Sequence, residues 1–385
     1  MTRRFVTVAI VVAAIACKSS SPQRDDAAVP HDAAPPDGPA WPELASYSRA
    51  EPVRVVALPS RPDVPRFDVG GPVVSGDMAI VSSSQFGFIG IDWRRGAIAW
   101  SKPAGLHVAP PLAHAGDIIL IGDCLNAPDV RDRLLGCARV VTAAGADQAY
   151  VAIHGASVAA FADARGTQDV WPAGDHAVRW RRGDEAVTVD LLTGVATRAS
   201  IEPPPLVVTY KTRRWEVSLG DGKLVAKGKQ PWELDRTYTA LLGAVYLPDE
   251  APMLRLVRFG SFAGNPEMNL FDIDATGSKH GQVSFPIPGI SLLGHATSSV
   301  GDVALAMRLD RSIRRDYIVG FAASSLLMWV YPLPVVDRAD PVGVAIASEA
   351  VLVFHDGDTF TILPELSAPP TAPGAVRAPS ENPTP

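Results

Sequence analysis

Cysteine is scarce in this chain of 385 residues: three in all, at positions 17, 124 and 137. None are adjacent and none form a Cys-x-x-Cys pair, and the eight histidines are scattered. That removes a thioredoxin-type redox motif and any pair at metal-ligand spacing. His-Glu-x-x-His, the glycine-rich phosphate loop and Gly-x-Gly-x-x-Gly are missing as well, and with them the metalloprotease, nucleotide triphosphatase and dinucleotide signatures. Positive charge is also in short supply, with 35 Lys and Arg against 41 Asp and Glu and a formal charge of −6. A nucleic-acid partner wants a clustered basic face, so that class is set aside. No long segment holds a helical period of apolar residues. The 35 prolines and 32 glycines instead favour many turns, which points to an all-β chain.

The N-terminal stretch has Arg3 and Arg4, then an apolar run from Phe5 to Ala16, then Cys17. A run of about a dozen apolar residues is too short to cross a bilayer but fits the core of a signal peptide. Ala14-Ile15-Ala16-Cys17 resembles a bacterial lipobox, which implies cleavage after residue 16, lipidation of Cys17 and a membrane anchor. Ala14 stands where the usual Leu would be, and a plain secretory signal cut near Ala16 is the alternative. Arg3-Arg4-Phe5 lacks the spacer of a twin-arginine signal, so general secretion is expected. Lys18 after the lipidated Cys implies, by the same resemblance, outer-membrane delivery.

Residues 17–51 are rich in Ser, Pro, Asp and Ala, with no large aromatic before Trp41. Such a segment buries too little surface to offset its ordering entropy and is expected to be a flexible tether. Residues 368–385 have the same character and are expected to be a disordered Pro-rich tail. The block between, 52–367, repeats. Gly96, Gly145 and Gly194 are spaced 49 apart, and Gly277 and Ser325 48 apart. Asp92 and Asp190 lie four before their glycines, Asp274 three before Gly277, and Trp100 and Trp329 four after their turn residues. Gly76-Asp77, Gly116-Asp117, Gly301-Asp302 and Ser348-Glu349 each open an apolar run.

Short runs rich in Val, Ile and Phe, bounded by Gly and Asp, read as antiparallel strands joined by tight turns. Periods of about 40 to 50 residues are those of four-stranded propeller blades. The unit resembles the repeat of pyrroloquinoline-quinone-like β-propellers, and a lipobox before it is similar to the outer-membrane barrel-assembly lipoproteins. The expected fold is one seven-bladed propeller, six or eight being open, with blades at 68–105, 106–155, 156–205, 206–236, 237–289, 290–334 and 340–366. The last has three strands of its own, and residues 53–58 are expected to supply the fourth and remove a free sheet edge. Asp92, Gly96, Trp100, Asp190, Gly194, Asp274, Gly277 and Trp329 are then blade-turn and docking residues.

Candidate chemistry is thin. Cys124 and Cys137 flank a loop between two expected strands, and in an exported protein they are expected to pair, two buried thiols being the alternative. The quinone enzymes on this scaffold use adjacent cysteines and a calcium-bound Asp base; this chain has no adjacent cysteines, so no quinone cofactor is inferred. Gly155 to Ala159 only echoes a nucleophile elbow at Ser157. Asp272, Asp274, Asp356 and Asp358 lack the further oxygen ligands of a calcium loop and read as turn residues, so no metal is expected. Four basic pairs recur, Arg94-Arg95, Arg181-Arg182, Arg213-Arg214 and Arg314-Arg315, with Trp93, Trp180 and Trp215 beside three of them. Gathered on one face they would form a cationic and aromatic interaction patch; independent solvated turns are the alternative. The resulting expectation is a non-catalytic, monomeric, lipid-anchored scaffold that holds a protein partner in the bacterial cell envelope. A carbohydrate-binding or hydrolytic site at the central pore is the other reading, and glycosidic hydrolysis there requires two carboxylates about 5–10 Å apart.

Overall fold

Each apolar run between Gly, Pro and Asp punctuation folds as a strand, and each strand pairs antiparallel with the next. The computed structural model describes residue 44 and residues 46–366, except 62–63, 65–68, 106, 125–133, 156–167, 221–222, 229–230, 235–237, 247–251, 263–264, 275, 287–290, 299, 309–315 and 335–341. Within the described residues there is no α-helix. None is therefore long and apolar enough to cross a membrane.

Strand β1 (Arg54–Ala57) comes first in the chain. Blade one follows with β2 (Val69–Ser75), β3 (Met78–Ser83), β4 (Gly87–Asp92) and β5 (Ala97–Lys102). Blade two has β6 (Leu112–His114), β7 (Asp117–Gly122), β8 (Leu134–Val141) and β9 (Asp147–His154). Blade three has β10 (Gln168–Gly174), β11 (Ala177–Arg182), β12 (Glu185–Asp190) and β13 (Ala196–Arg198). Blade four has β14 (Leu206–Tyr210), β15 (Arg213–Gly220), β16 (Lys223–Gly228) and β17 (Trp232–Leu234). Blade five has β18 (Ala240–Val245), β19 (Met253–Phe262), β20 (Asn265–Asp274) and β21 (Lys279–Phe285). Blade six has β22 (Ser291–Thr297), β23 (Val303–Arg308), β24 (Asp316–Phe321) and β25 (Leu327–Pro332). Blade seven has β26 (Gly343–Ala347), β27 (Ala350–His355) and β28 (Thr359–Pro364), and β1 completes it.

The fold is a seven-bladed β-propeller, as the repeat predicts. Its ring closes through the first strand of the described residues: β1 pairs antiparallel with β28, from Arg54 opposite Ile362 to Ala57 opposite Thr359. An outer strand from the beginning of the chain thus covers the free edge of the last sheet. The first strand of each blade lies innermost, with β18, β22, β26, β2, β6 and β10 side by side around the axis. Turns between first and second strands, and between third and fourth, share one end of the ring. Turns between second and third strands lie at the other.

The repeated Asp, Gly and Trp residues build joints between blades. Asp92 accepts the Arg95 N–H (2.9 Å), Asp190 those of Leu192 and Thr193 (both 2.9 Å), and Asp274 those of Thr276 (2.8 Å) and Ser278 (3.0 Å). Those hydrogen bonds, from Thr193 first, hold the Asp190 carboxyl below its ordinary range. Each turn then needs a left-handed residue. Gly96, Gly145, Gly194 and Gly277 have φ of 62°, 83°, 76° and 91°, and Ser325 adopts the same conformation at 60°. The indole of Trp100 covers Gly90 in its own blade, abuts Gly145 in the next, and donates Nε1–H to Ala143 O at 2.9 Å. Trp232 abuts Gly277 of blade five in the same way, Arg54 lies against Gly96, and buried Trp329 packs on Gly320 and Leu366.

One boundary differs from expectation. The stretch 17–51 was expected to be tether throughout, yet residues 44 and 46–50 pack on the ring. Ala50 N–H donates to Val330 O and Val330 N–H to Ser48 O, both at 2.8 Å, which sets Arg49 parallel to β25. Leu44 and Ala50, each 4% exposed, enter the apolar clusters of blades five to seven. Leu44, Tyr47 and Ala50 supply the apolar surface that the Ser- and Pro-rich composition hid. Cys17, the signal segment and the tail lie outside the described residues.

Candidate functional site

A blade enclosed by neighbours on both faces must be apolar at consecutive residues, because successive side chains of a strand point to opposite faces. The second strands of five blades obey this. Ala79-Ile80-Val81, Ile118 to Ile121, Leu254 to Val257, Val303 to Met307 and Val351 to Phe354 are all buried without a break. Arg255 in the third of these runs is apolar only in its stem; its head group is paired inside the fold. Strands β11 and β15, in the adjacent blades three and four, instead alternate between buried and open residues.

The clusters of buried residues explain the alternation. Six joints of the ring are filled with apolar side chains: one–two, two–three, four–five, five–six, six–seven and seven–one. Among the described residues, no such cluster fills the joint between blades three and four. Val178, Trp180, Val187 and Val189 turn toward blade two, and Val208, Trp215, Val217, Leu224 and Ala226 turn toward blade five. The opposite faces are left to meet each other. Blade three presents Asp169, Trp171, Arg179, Arg181, Thr188 and Thr197, which the strand register places together. Blade four presents Val207, Thr209, Arg214, Glu216, Ser218, Lys223, Val225, Lys227 and Glu233.

This joint is polar and open. The side chains of Arg214, Glu216, Lys223 and Glu233 are 62%, 47%, 49% and 53% exposed on a face that other blades bury. On the blade-three wall the Arg181 Nη2 is paired with Asp169, and its guanidinium lies 5.7 Å from the Trp171 ring centre. Arg179 Nη1 donates to Glu202 O at 3.0 Å. The Nε atoms of Arg179 and Arg181 are buried with no acceptor among the described residues. On the blade-four wall Arg214 lies 3.3 Å from Glu216 and Lys223 3.5 Å from Glu233. The arrangement suits charge-assisted capture of carboxylates, with an indole beside it.

The expected patch of four basic pairs does not gather on one face. Arg94-Arg95 and Arg213-Arg214 sit at the end of the ring that carries the first–second and third–fourth turns. Arg181-Arg182 sits at the opposite end, and Arg314-Arg315 lies outside the described residues. Arg94 is engaged by Asp77 and Glu349 and stacks 4.6 Å from the Trp93 ring centre, while Arg95 is 84% exposed and 3.5 Å from Asp92. Arg182 is buried and Arg213 exposed. Trp93, Trp180 and Trp215 are buried in core clusters and offer no surface. On β11 and β15 the indoles of Trp180 and Trp215 point to the face opposite the neighbouring Arg181 and Arg214, so there adjacency in sequence separates the two. Trp93, in a turn, keeps its contact with Arg94. In the joint between blades three and four the aromatic that accompanies the arginines is Trp171, cross-strand from Arg179. The signal for this site was the strict alternation in Val178-Arg179-Trp180-Arg181 and Arg214-Trp215-Glu216-Val217-Ser218.

The other candidates among the described residues take part in pairings that hold the fold. Cys124 and Cys137 form a disulfide with Cα atoms 5.1 Å apart, between blade two's second strand and its third. Beside it lies a shallow depression where Asp123, Arg139 and Tyr150 meet. Asp272 grips buried Arg255, and buried His355 bridges Asp356 (2.7 Å) and Thr361 (2.9 Å). Thr361 is fully buried, so that row holds a hairpin together. Ser157 is outside the described residues. Among the described residues there is no group of three His, Cys, Asp or Glu arranged to hold a metal. The seven inner strands carry a single carboxylate, Asp169.

No family model matches the chain, and no curated protein matches it in sequence. Similar solved structures include the C-terminal WD40 domain of Sif2, at 8% identity over 83% of this chain and 99% of that one, with a TM-score of 0.49. A mitotic checkpoint complex structure aligns at 10% identity over 83% of this chain and 93% of its own, with a TM-score of 0.46. BamB from Moraxella catarrhalis aligns at 12% identity over 82% of this chain and 100% of its own, with a TM-score of 0.33.

Proposed function

We propose that this chain is a non-catalytic, lipid-anchored β-propeller that serves as a protein-interaction scaffold in the bacterial cell envelope. The observation that carries this reading is the open joint between blades three and four. Six joints spend their faces on one another, and the seventh leaves two charged sheet faces to solvent. Such faces are interaction surface in a fold whose repeated Asp, Gly and Trp residues are engaged in turns and joints. The anchor half of the proposal rests on Ala14-Ile15-Ala16-Cys17, with Lys18 favouring the outer membrane. The joints made by Trp100 and Trp232 support assigning the repeat to the quinone-propeller type, without its cofactor chemistry. A hydrolytic site at the central pore finds less support, because the inner strands hold one carboxylate, Asp169, and Arg181 engages it.

Mild crosslinking of intact cells of the native host, followed by pull-down and mass spectrometry, tests both halves. The expected result is a diacylated Cys17 peptide together with one dominant envelope protein. A lipidated Cys17 with no reproducible partner would defeat the scaffold, and an unmodified N-terminus would defeat the anchor.

A further inference from the structure

We infer that the open joint is a cleft for an extended, acidic segment of a protein partner; this rests on the scaffold reading and names the chemistry its site selects. The charge count comes first. The two walls carry Arg179, Arg181, Arg214, Lys223 and Lys227 against Asp169, Glu216 and Glu233. All three carboxylates lie within ion-pair range of a cation, Arg181, Arg214 and Lys223 in turn, although the buried Asp169 Oδ2 has no donor in hydrogen-bond geometry among the described residues. Arg179 and Lys227 have no carboxylate partner among the described residues. A chain with a net charge of −6 therefore keeps a positive surplus in this joint.

The donors point the same way. A guanidinium has five N–H donors in a fixed fork. Arg179 spends one on Glu202 O, while its buried Nε and that of Arg181 face no acceptor. A buried donor without an acceptor is costly, and a carboxylate is the acceptor whose two oxygens match the fork. Spacing selects the shape of the ligand. Arg179 and Arg181 are two residues apart on one face of β11, which sets them about 6.6 Å apart along the strand. An extended polypeptide presents every second side chain on one face at that same interval. Acidic residues at alternate positions would meet both arginines, with an apolar neighbour on Trp171 or Val225. A uniformly anionic polymer fits less well, because Asp169, Glu216 and Glu233 would repel it.

The test uses the full mature chain and a fluorescent peptide with glutamate at alternate positions, compared with its glutamine counterpart, in an anisotropy titration. The glutamate peptide should bind, the glutamine peptide should not, and added salt should weaken binding. Arg179→Gln and Arg181→Gln should each weaken it by about tenfold, the loss of one charge-assisted contact. Arg95→Gln, remote and exposed, should leave it unchanged. Lys227→Gln, at an exposed position that folding does not need, should also weaken binding and keeps the test open if an arginine variant folds poorly. Equal binding of the two peptides, or equal effects of Arg179→Gln and Arg95→Gln, overturns the proposal. Tighter, Arg179-dependent binding to phosphatidylglycerol vesicles would reassign the cleft to lipid headgroups. In cells, a partner that still crosslinks to the Arg179→Gln/Lys227→Gln protein would sink the cleft and spare the scaffold. Loss of every partner from the unaltered protein would sink the scaffold itself.

Discussion

Arg255 is the most deeply buried charge on the blade joints, 2% exposed, and removing it tests how the ring is held. Its Nε and Nη2 donate to the two oxygens of Asp272 at 2.8 and 2.9 Å within blade five. The same guanidinium crosses the joint: Nη2 donates to Ala323 O at 3.1 Å and Nη1 to Gly301 O, in the two turns at one end of blade six. Arg255→Met keeps most of the volume and removes all the donors. It leaves the Asp272 side chain, 19% exposed, without its cation, and two carbonyls without their donor. Breaking a buried pair from one side costs about 3–5 kcal/mol. For a domain of this size each kcal/mol is worth roughly 2 °C, so the melting temperature should fall by about 6–10 °C. Arg255→Met/Asp272→Leu should recover about half of that, because no charge is left stranded and only the carbonyls remain unmet. Urea and thermal melts of the four proteins form the double-mutant cycle. Raising the salt to 0.5 M should change the cost little, since an enclosed pair is poorly screened. A single-variant loss below about 1 kcal/mol, or losses that simply add in the double variant, would refute the clamp.

Three further outcomes follow from the same structure. Gly194→Ala should cost at least twice what Gly76→Ala does. Both positions have positive φ, worth about 1–2 kcal/mol of strain with a Cβ, but at 194 that Cβ lies 2.1 Å from Ala152 O of blade two and at 76 it meets nothing within 4 Å; equal urea midpoints would refute this. Burial pushes the Tyr317 phenol well above its ordinary range, and Tyr47 beside it is raised as well. The unfolded chain then ionises first, so stability should hold below about pH 10 and fall above it, and Tyr317→Phe should flatten that fall in urea melts. The Cys124–Cys137 bond closes a loop of sequence separation 13, so Cys124→Ser/Cys137→Ser should cost about 3 kcal/mol if loop closure dominates; a loss under about 1 kcal/mol would say that the reduced loop already holds its shape.

Blade number and boundaries were legible because a turn that needs a left-handed residue recurs at a fixed spacing. Even Ser325, without glycine's freedom, kept its place in the series with φ of 60°. Residues 53–58 were legible as the closing strand for a topological reason: a three-stranded last sheet leaves an edge to cover. Two joint residues were not foreseen. Trp232 stands four after Gly228, the repeat spacing, but in a blade whose other marks are worn. Arg54 occupies a docking place that elsewhere belongs to an indole, and only the contact with Gly96 reveals it. The N-terminal packing of Leu44 and Ala50 escaped because composition averages over a window, and two or three apolar residues inside a polar stretch suffice to bind one edge.

The open joint shows what a repeat-based reading passes over. Blade three carries the Asp190 and Gly194 turn and blade four was placed by length between marked neighbours, so neither was set apart from the rest. The difference lies in the parity of their strands. In β3, β7, β23 and β27 both parities are apolar, as enclosure on two faces demands. In β11 and β15 one parity is Arg179 and Arg181, and Arg214, Glu216 and Ser218. Burying the two whole faces against each other would strip water from eight charges, Arg179, Arg181, Arg214 and Glu216 with Asp169, Lys223, Lys227 and Glu233. The ion pairs formed would return only part of that cost. Two adjacent blades that each keep one face polar therefore favour a joint that stays hydrated. The sequence change that would close it follows: apolar residues at 179, 181, 214 and 216 would give these blades the pattern of the other five. A propeller so altered should gain stability and lose whatever its cleft holds, whereas a joint open only for want of good packing would gain stability and lose no partner.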